Sequence, residues 1–320
     1  MISGFLGTLI CLERSVALAS RYRWSLVVPA VNALGAGLLL VMRDAPAAKL
    51  LLTMGSLGLL VLFGFMLRLH PSRDVVIMAV GTLCWLIGNA LWFAGQPIYQ
   101  VVHLWTAFLI LTIVGERLEL SRVRRLTRTS KNLLTLAVGV YLAGGVLTIL
   151  DLSTGVRVLG VGAVLMAGWL LCYDIARRTI YQSGLPRYVA ACLLAGYVWL
   201  GFGGLLALWH GAIYAGPDYA AVLHAFLLGF MFSMIFGHAP IIIPALTNLQ
   251  LKYSPIFYGH LVLLHITLIY RMYGNLLGDF LAQQQGGLWN VIALLLFMAV
   301  MALTVLRSNI GQRIGVRVSQ

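Results

Sequence analysis

Ten stretches of mostly apolar residues, each close to twenty long, follow one another along the chain: 24–42, 50–69, 75–95, 98–120, 132–150, 156–176, 187–209, 219–246, 253–273 and 287–306. An α-helix needs about 20 such residues to cross the hydrocarbon core of a bilayer. The breaks carry turn and charge signals, among them Arg43-Asp44-Ala45-Pro46, His70-Pro71-Ser72-Arg73-Asp74, Ser183-Gly184-Leu185-Pro186 and Ala215-Gly216-Pro217-Asp218. Every connection is short. The pattern therefore predicts an all-α fold, a polytopic helical bundle forming one membrane domain over residues 1–320, with ten transmembrane helices between 24 and 306. Residues 1–12 are apolar but lack a basic leader and are too short to span, and Glu13 and Arg14 follow at once. Residues 1–23 are expected to lie at the interface, and 307–320 to form a basic tail.

Composition agrees with this pattern. The chain is 61% apolar and 10% charged, with mean hydropathy +0.95, too few polar side chains to cover a water-facing surface. A soluble domain, a disordered chain and a disulfide framework are excluded together. The four cysteines, Cys11, Cys84, Cys172 and Cys192, lie in or against apolar runs and read as buried small hydrophobes. Net charge is +13, yet nucleic-acid binding does not follow, because the excess sits in short loops between apolar runs. With the amino terminus placed in the cytoplasm, eighteen of the basic residues fall on the inner side and four (Arg43, Lys49, Arg157 and Arg271) on the outer. That asymmetry predicts both termini cytoplasmic, the lipid bilayer as the obligatory partner, and a topogenic role for the basic run from Arg117 to Lys131. Glycines within the spans, such as Gly35 with Gly37 and Gly201 with Gly203 and Gly204, are expected at close helix contacts.

Candidate chemistry rests on histidine. Six of the seven, His103, His210, His224, His238, His260 and His265, belong to spans or span ends, and mid-membrane carboxylates hardly accompany them. A proton-coupled transporter usually needs such an acid. Histidine without one suits a neutral imidazole acting as a ligand to haem iron or copper. Along 219–246 the chain reads His224-Ala-Phe-Leu-Leu-Gly-Phe-Met-Phe-Ser-Met-Ile-Phe-Gly-His238-Ala-Pro. At about 100° and 1.5 Å per residue, His224 and His238 fall on nearly one face, roughly 21 Å apart, with Met231 and Met234 between them. One helix supplying a ligand in each leaflet is similar to the cytochrome b arrangement. Pro240 and Pro244 are expected to kink or end the helix just past His238. Depth predicts two ligand pairs, an outer His103 with His224 and an inner His238 with His260. His265, about 140° round from His260, is the candidate for a second metal, copper. Arg271 and Arg117 return to the faces of His260 and His103 at the opposite leaflets, where they suit haem propionates.

The segment from His224 to Pro240, with Gly115-Glu116-Arg117 closing an earlier span, resembles the NnrS-type family, polytopic haem- and copper-containing membrane proteins of the bacterial nitric oxide response. His224, Ala225, Gly229, Met234, Gly237 and His238 match that family's histidine helix, and Gly115 and Arg117 its Gly-Gly-Arg. Glu116 replaces the middle glycine, and no His-Thr-Gly-Arg follows. The resemblance implies the bacterial cytoplasmic (inner) membrane, haem b (one or two groups) with copper, and the handling of a small diatomic gas such as nitric oxide. The residues themselves leave electron transfer, with a quinone or a redox partner protein, equally open. A metal or small-solute transporter, and a structural or assembly subunit of a respiratory complex, are the alternatives.

Overall fold

The computed structural model describes residues 2–19, 21–42, 44–124, 126–247 and 249–318. Of the loop charges counted above, Arg43 and Arg125 lie outside them, as do the side chains of Arg124, Arg313 and Arg317. A π-helical turn, Ile2–Leu6, leads into α1 (Gly7–Ala19), and a 3₁₀ turn, Arg23–Leu26, into α2 (Val27–Val41). Then come α3 (Pro46–Leu69), α4 (Arg73–Phe93), α5 (Ile98–Leu120), a 3₁₀ turn at Ser121–Arg124, α6 (Arg128–Leu150) and α7 (Leu152–Tyr173). The short α8 (Ala176–Thr179) precedes α9 (Leu185–His210) and α10 (Pro217–His224). A π-helical segment, Ala225–Phe232, joins α10 to α11 (Ser233–Thr247), and α12 (Phe257–Leu277) and α13 (Phe280–Val318) complete the chain.

Among the described residues there is no strand, and nine helices are long and apolar enough to cross a membrane. The expected stretch 253–273 is the exception. It is helical as α12, 21 residues long, but His260, His265, Arg271 and Asn275 leave it less apolar than the nine. Pro240 and Pro244 do not end their helix. Both lie inside α11, which continues to Thr247, although each lacks the N–H that would reach the carbonyl four residues back. The cysteines are free, and Cys172, unlike the other three, is exposed.

The chain divides into two compact units, Met1–Met166 and Ala167–Gln320. In the first, α2, α3, α4 and α5 pack as sequential neighbours. Helix α5, apolar on all sides, is the most enclosed, as expected of a helix with no polar face to give to water. The amino-terminal segment packs into this unit: Gly7 lies so close to Trp85 that a Cβ would stand 2.4 Å from its Cζ2. Trp85 stacks on Phe108 with centroids 4.5 Å apart and donates its indole N–H to Ser3 Oγ at 2.9 Å. Ser3 in turn donates to Asn89 Oδ1 at 2.8 Å, and Asn89 Nδ2 to Ser56 Oγ and Leu52 O. Polar groups within such a bundle need protein partners, since hydrocarbon offers none. Helices α6 and α7 touch backbone to backbone. A Cβ on Gly144 would stand 2.2 Å from Leu159 N, and one on Gly162 2.5 Å from Tyr141 Cα.

In the second unit α9 packs against the π segment and α11, and α12 pairs with α13. Here too small residues set the approach: Gly203 faces Phe226, Gly237 faces Cys192, and Gly286 faces the backbone of Arg271. Helix α12 stops at Gly278, which takes φ 73°, the left-handed cap for which glycine carries no Cβ penalty.

Candidate functional site

The helix containing His224 and His238 lies in the second unit, and its middle differs from the sequence expectation. The eight residues Ala225–Phe232 are π-helical. Hydrogen bonds from i to i+5 wind the chain less per residue than α-helical ones. One uninterrupted α-helical register therefore does not relate the two histidines, and the shared face counted at 100° per residue loses its basis. Such π segments recur at functional sites. Met231 and Met234 are buried, and the Met234 methyl fills the notch left by Gly196 on α9, so Met234 is a packing residue. Gly229 leaves a similar notch, filled by the Trp199 indole.

Both histidines make the same bond. His224 donates from Nδ1 to the Ala220 carbonyl, and His238 from Nδ1 to the Met234 carbonyl at 2.6 Å. A backbone carbonyl only accepts, so Nδ1 carries the hydrogen in each ring and Nε2 of the neutral imidazole keeps its lone pair. That is the tautomer an Nε2 metal ligand requires, with the ring orientation fixed from behind. Both rings are half-buried. Arg271 of α12 is a charged neighbour of His224. Its guanidinium lies beside Gly287, and its Nε is buried with no hydrogen-bond partner. Arg271, expected on the face of His260 three turns on, thus stands near His224 within the second unit.

The other two histidines of α12 are differently engaged. His260 is fully buried, with Phe236, Phe297 and Phe257 around it at centroid distances of 4.8, 5.2 and 6.3 Å, and its Nε2 is 2.9 Å from Tyr188 Oη. The nitrogen expected to face a metal shared with His238 is therefore turned to a tyrosine. His265 accepts from the Trp199 indole N–H at Nδ1, 3.0 Å, with the rings stacked. Its neutral form then holds hydrogen on Nε2, a donor rather than a ligand atom, and that nitrogen is buried without a partner. Among the described residues no three histidine, cysteine, aspartate or glutamate side chains come together as a metal site. Tyr188 and Trp199 were not singled out from sequence, because nothing local marks an aromatic residue as the partner of a histidine some 70 positions away.

His103 belongs to the first unit, half-buried in α5. In the same helix the Gly115-Glu116-Arg117 motif has roles visible in the packing. A Cβ on Gly115 would stand 2.5 Å from Met78 Cγ, so glycine permits the approach of α4. Glu116 is bound by Arg14 of α1, both side chains nearly buried. Glu13 lies 3.9 Å from the same Arg14 nitrogen. Burial pushes the Glu13 carboxyl up to about 7, and the Glu116 charge adds to the rise, which leaves Glu116 as the principal counter-ion. Arg117 is buried, and Glu13 feels its charge, so the arginine expected at haem propionates stands within a group of paired charges.

The model of the family described as "domain of unknown function (DUF8744)" matches residues 1–306. The chain belongs to this family. No curated protein matches this DUF8744 chain, and neither does any solved structure. The matched span of this DUF8744 chain takes in every histidine discussed above.

Proposed function

We propose that this protein binds haem b through His224 and His238 and serves electron transfer or the handling of a small diatomic gas in the bacterial cytoplasmic membrane, with ten spans and both termini inside. The observation that carries the reading is the shared bond from Nδ1 to the carbonyl four residues earlier. Two half-buried imidazoles on one apolar helix are each held from Nδ1 in the tautomer whose Nε2 carries the lone pair, and the sequence places no carboxylate in that helix from His224 to His238. The likeness of this helix to the histidine helix of the NnrS-type family points the same way. Arg271, a cation beside His224 whose Nε lacks a partner, suits a propionate.

The residues fit such a group unevenly. His224 and His238 have the required tautomer, whereas His260 has Nε2 turned to Tyr188, and His265, accepting from Trp199 at Nδ1, holds its hydrogen on Nε2. Bound haem would supply a one-electron iron couple. The chain's own part is to fix the two imidazoles, exclude water with apolar helices and balance charge with Arg271. Copper, a quinone and a protein redox partner remain parts of this proposal with no residue set of their own.

The reduced-minus-oxidised absorption difference spectrum of protein purified from haem-replete cells tests the reading. Alpha, beta and Soret bands of a b-type haem are expected. A spectrum without them returns the chain to the transporter and assembly-subunit readings.

A further inference from the structure

The first unit holds a cavity of about 730 Å³ among the ends of α4, α5 and α6, at the side that the charge distribution marks as cytoplasmic. Four of its lining residues are cations, Arg73, Arg122, Arg128 and Lys131, against one acid, Asp74. Asp74 is already satisfied, since Arg122 Nη2 lies 2.8 Å from both of its oxygens. Arg73 donates to the neutral Asn132 amide oxygen at 2.8 Å. Among the described residues neither Arg128 nor Lys131 takes part in an ion pair, so three positive charges face the cavity without a counter-ion.

The backbone adds to this field. Helices α4 and α6 begin at Arg73 and Arg128, so the positive ends of two helix dipoles meet at the cavity. Thr127 caps α6 by accepting from Ser130 N–H, but Ser72, at the N-cap of α4, makes no such bond, and its Oγ is buried with no partner. Leu118 and Leu126 complete the wall with apolar surface. Residues that only set topology need to lie in water at the helix ends. They need no concave enclosure, no convergent helix starts and no unused hydroxyl.

We propose that this cavity receives the phosphate of an anionic phospholipid headgroup, with Arg73, Arg128 and Lys131 binding the phosphate oxygens, Ser72 donating its hydroxyl, and the leucines meeting the start of the acyl chains. Basic pockets between transmembrane helices on the cytoplasmic side suit this chemistry. The leucine wall favours a lipid over free phosphate. The proposal stands apart from the haem reading and does not need it.

Native mass spectrometry of the full chain in detergent, with phosphatidylglycerol and phosphatidylcholine offered together, tests the assignment. Wild type is expected to retain phosphatidylglycerol preferentially, and the Arg128→Gln/Lys131→Gln double variant to lose about twentyfold of that preference. The charge-retaining Arg128→Lys/Lys131→Arg variant is expected to keep it, which separates loss of the site from loss of the fold. Equal preference in wild type and the glutamine variant overturns the proposal. Thermal stabilisation by inorganic phosphate equal to that by phosphatidylglycerol overturns the lipid assignment.

Discussion

His224→Ala and His238→Ala are each expected to remove the haem held by that ligand, and the double variant to remove all of it. The π segment and the roughly 20 Å of helix between the two positions place them at different depths, so each single variant should lose about half the haem of a two-haem protein. At each affected site occupancy should fall at least about tenfold, since even the outer partners of metal-ligating histidines are worth 10–100-fold in affinity. Two comparisons show whether the loss is specific. His260→Phe keeps the aromatic enclosure formed by Phe236, Phe257 and Phe297 and is expected to keep the haem signal. His70→Ala, in the loop before α4, should leave it untouched. A signal lost in His260→Phe but kept in His238→Ala would reverse the assignment.

Glu116→Gln is expected to lower stability by about 3–5 kcal/mol, because it strands the buried Arg14 guanidinium without its counter-ion. The remaining carboxylate near Arg14, Glu13, lies at 3.9 Å and is partly protonated near neutral pH. It offsets only part of the loss. The charge-free double variant Arg14→Met/Glu116→Leu should recover much of the stability, since replacing a buried pair by apolar residues is often neutral. Thermal unfolding in detergent reads both. An unchanged midpoint for Glu116→Gln would mean that the pair does not hold α1 to α5.

What the sequence disclosed and what it hid follow from the range of the forces involved. Apolar runs of spanning length are local, so the long helices were readable to within about four residues except the last, where 287–306 was expected and Phe280–Val318 is helical. The glycines at close contacts could be anticipated, as Gly35 beside Leu51 and Gly203 beside Phe226 show. Gly37, with nothing near it, shows that the type alone does not guarantee the contact. The three-turn spacing from His260 to Arg271 was within reach because helical periodicity is local. Three things were not. The π segment packs against α9, where Trp199 meets Gly229, and no residue of 225–232 announces it. The orientations of His260 and His265 are set by Tyr188 and Trp199, far away in sequence. Arg14 and Arg117 count as topogenic charges by position, and only tertiary contact brings Arg14 of α1 onto Glu116 of α5, 102 positions away.

The most direct test of imidazole ligation is pulsed electron paramagnetic resonance of the ferric protein grown with ¹⁵N-histidine. The account predicts hyperfine coupling between iron and histidine ¹⁵N, diminished in His224→Ala and in His238→Ala and absent when both are replaced. Haem bound with no coupling to histidine nitrogen, or coupling that persists undiminished in the double variant, would contradict it.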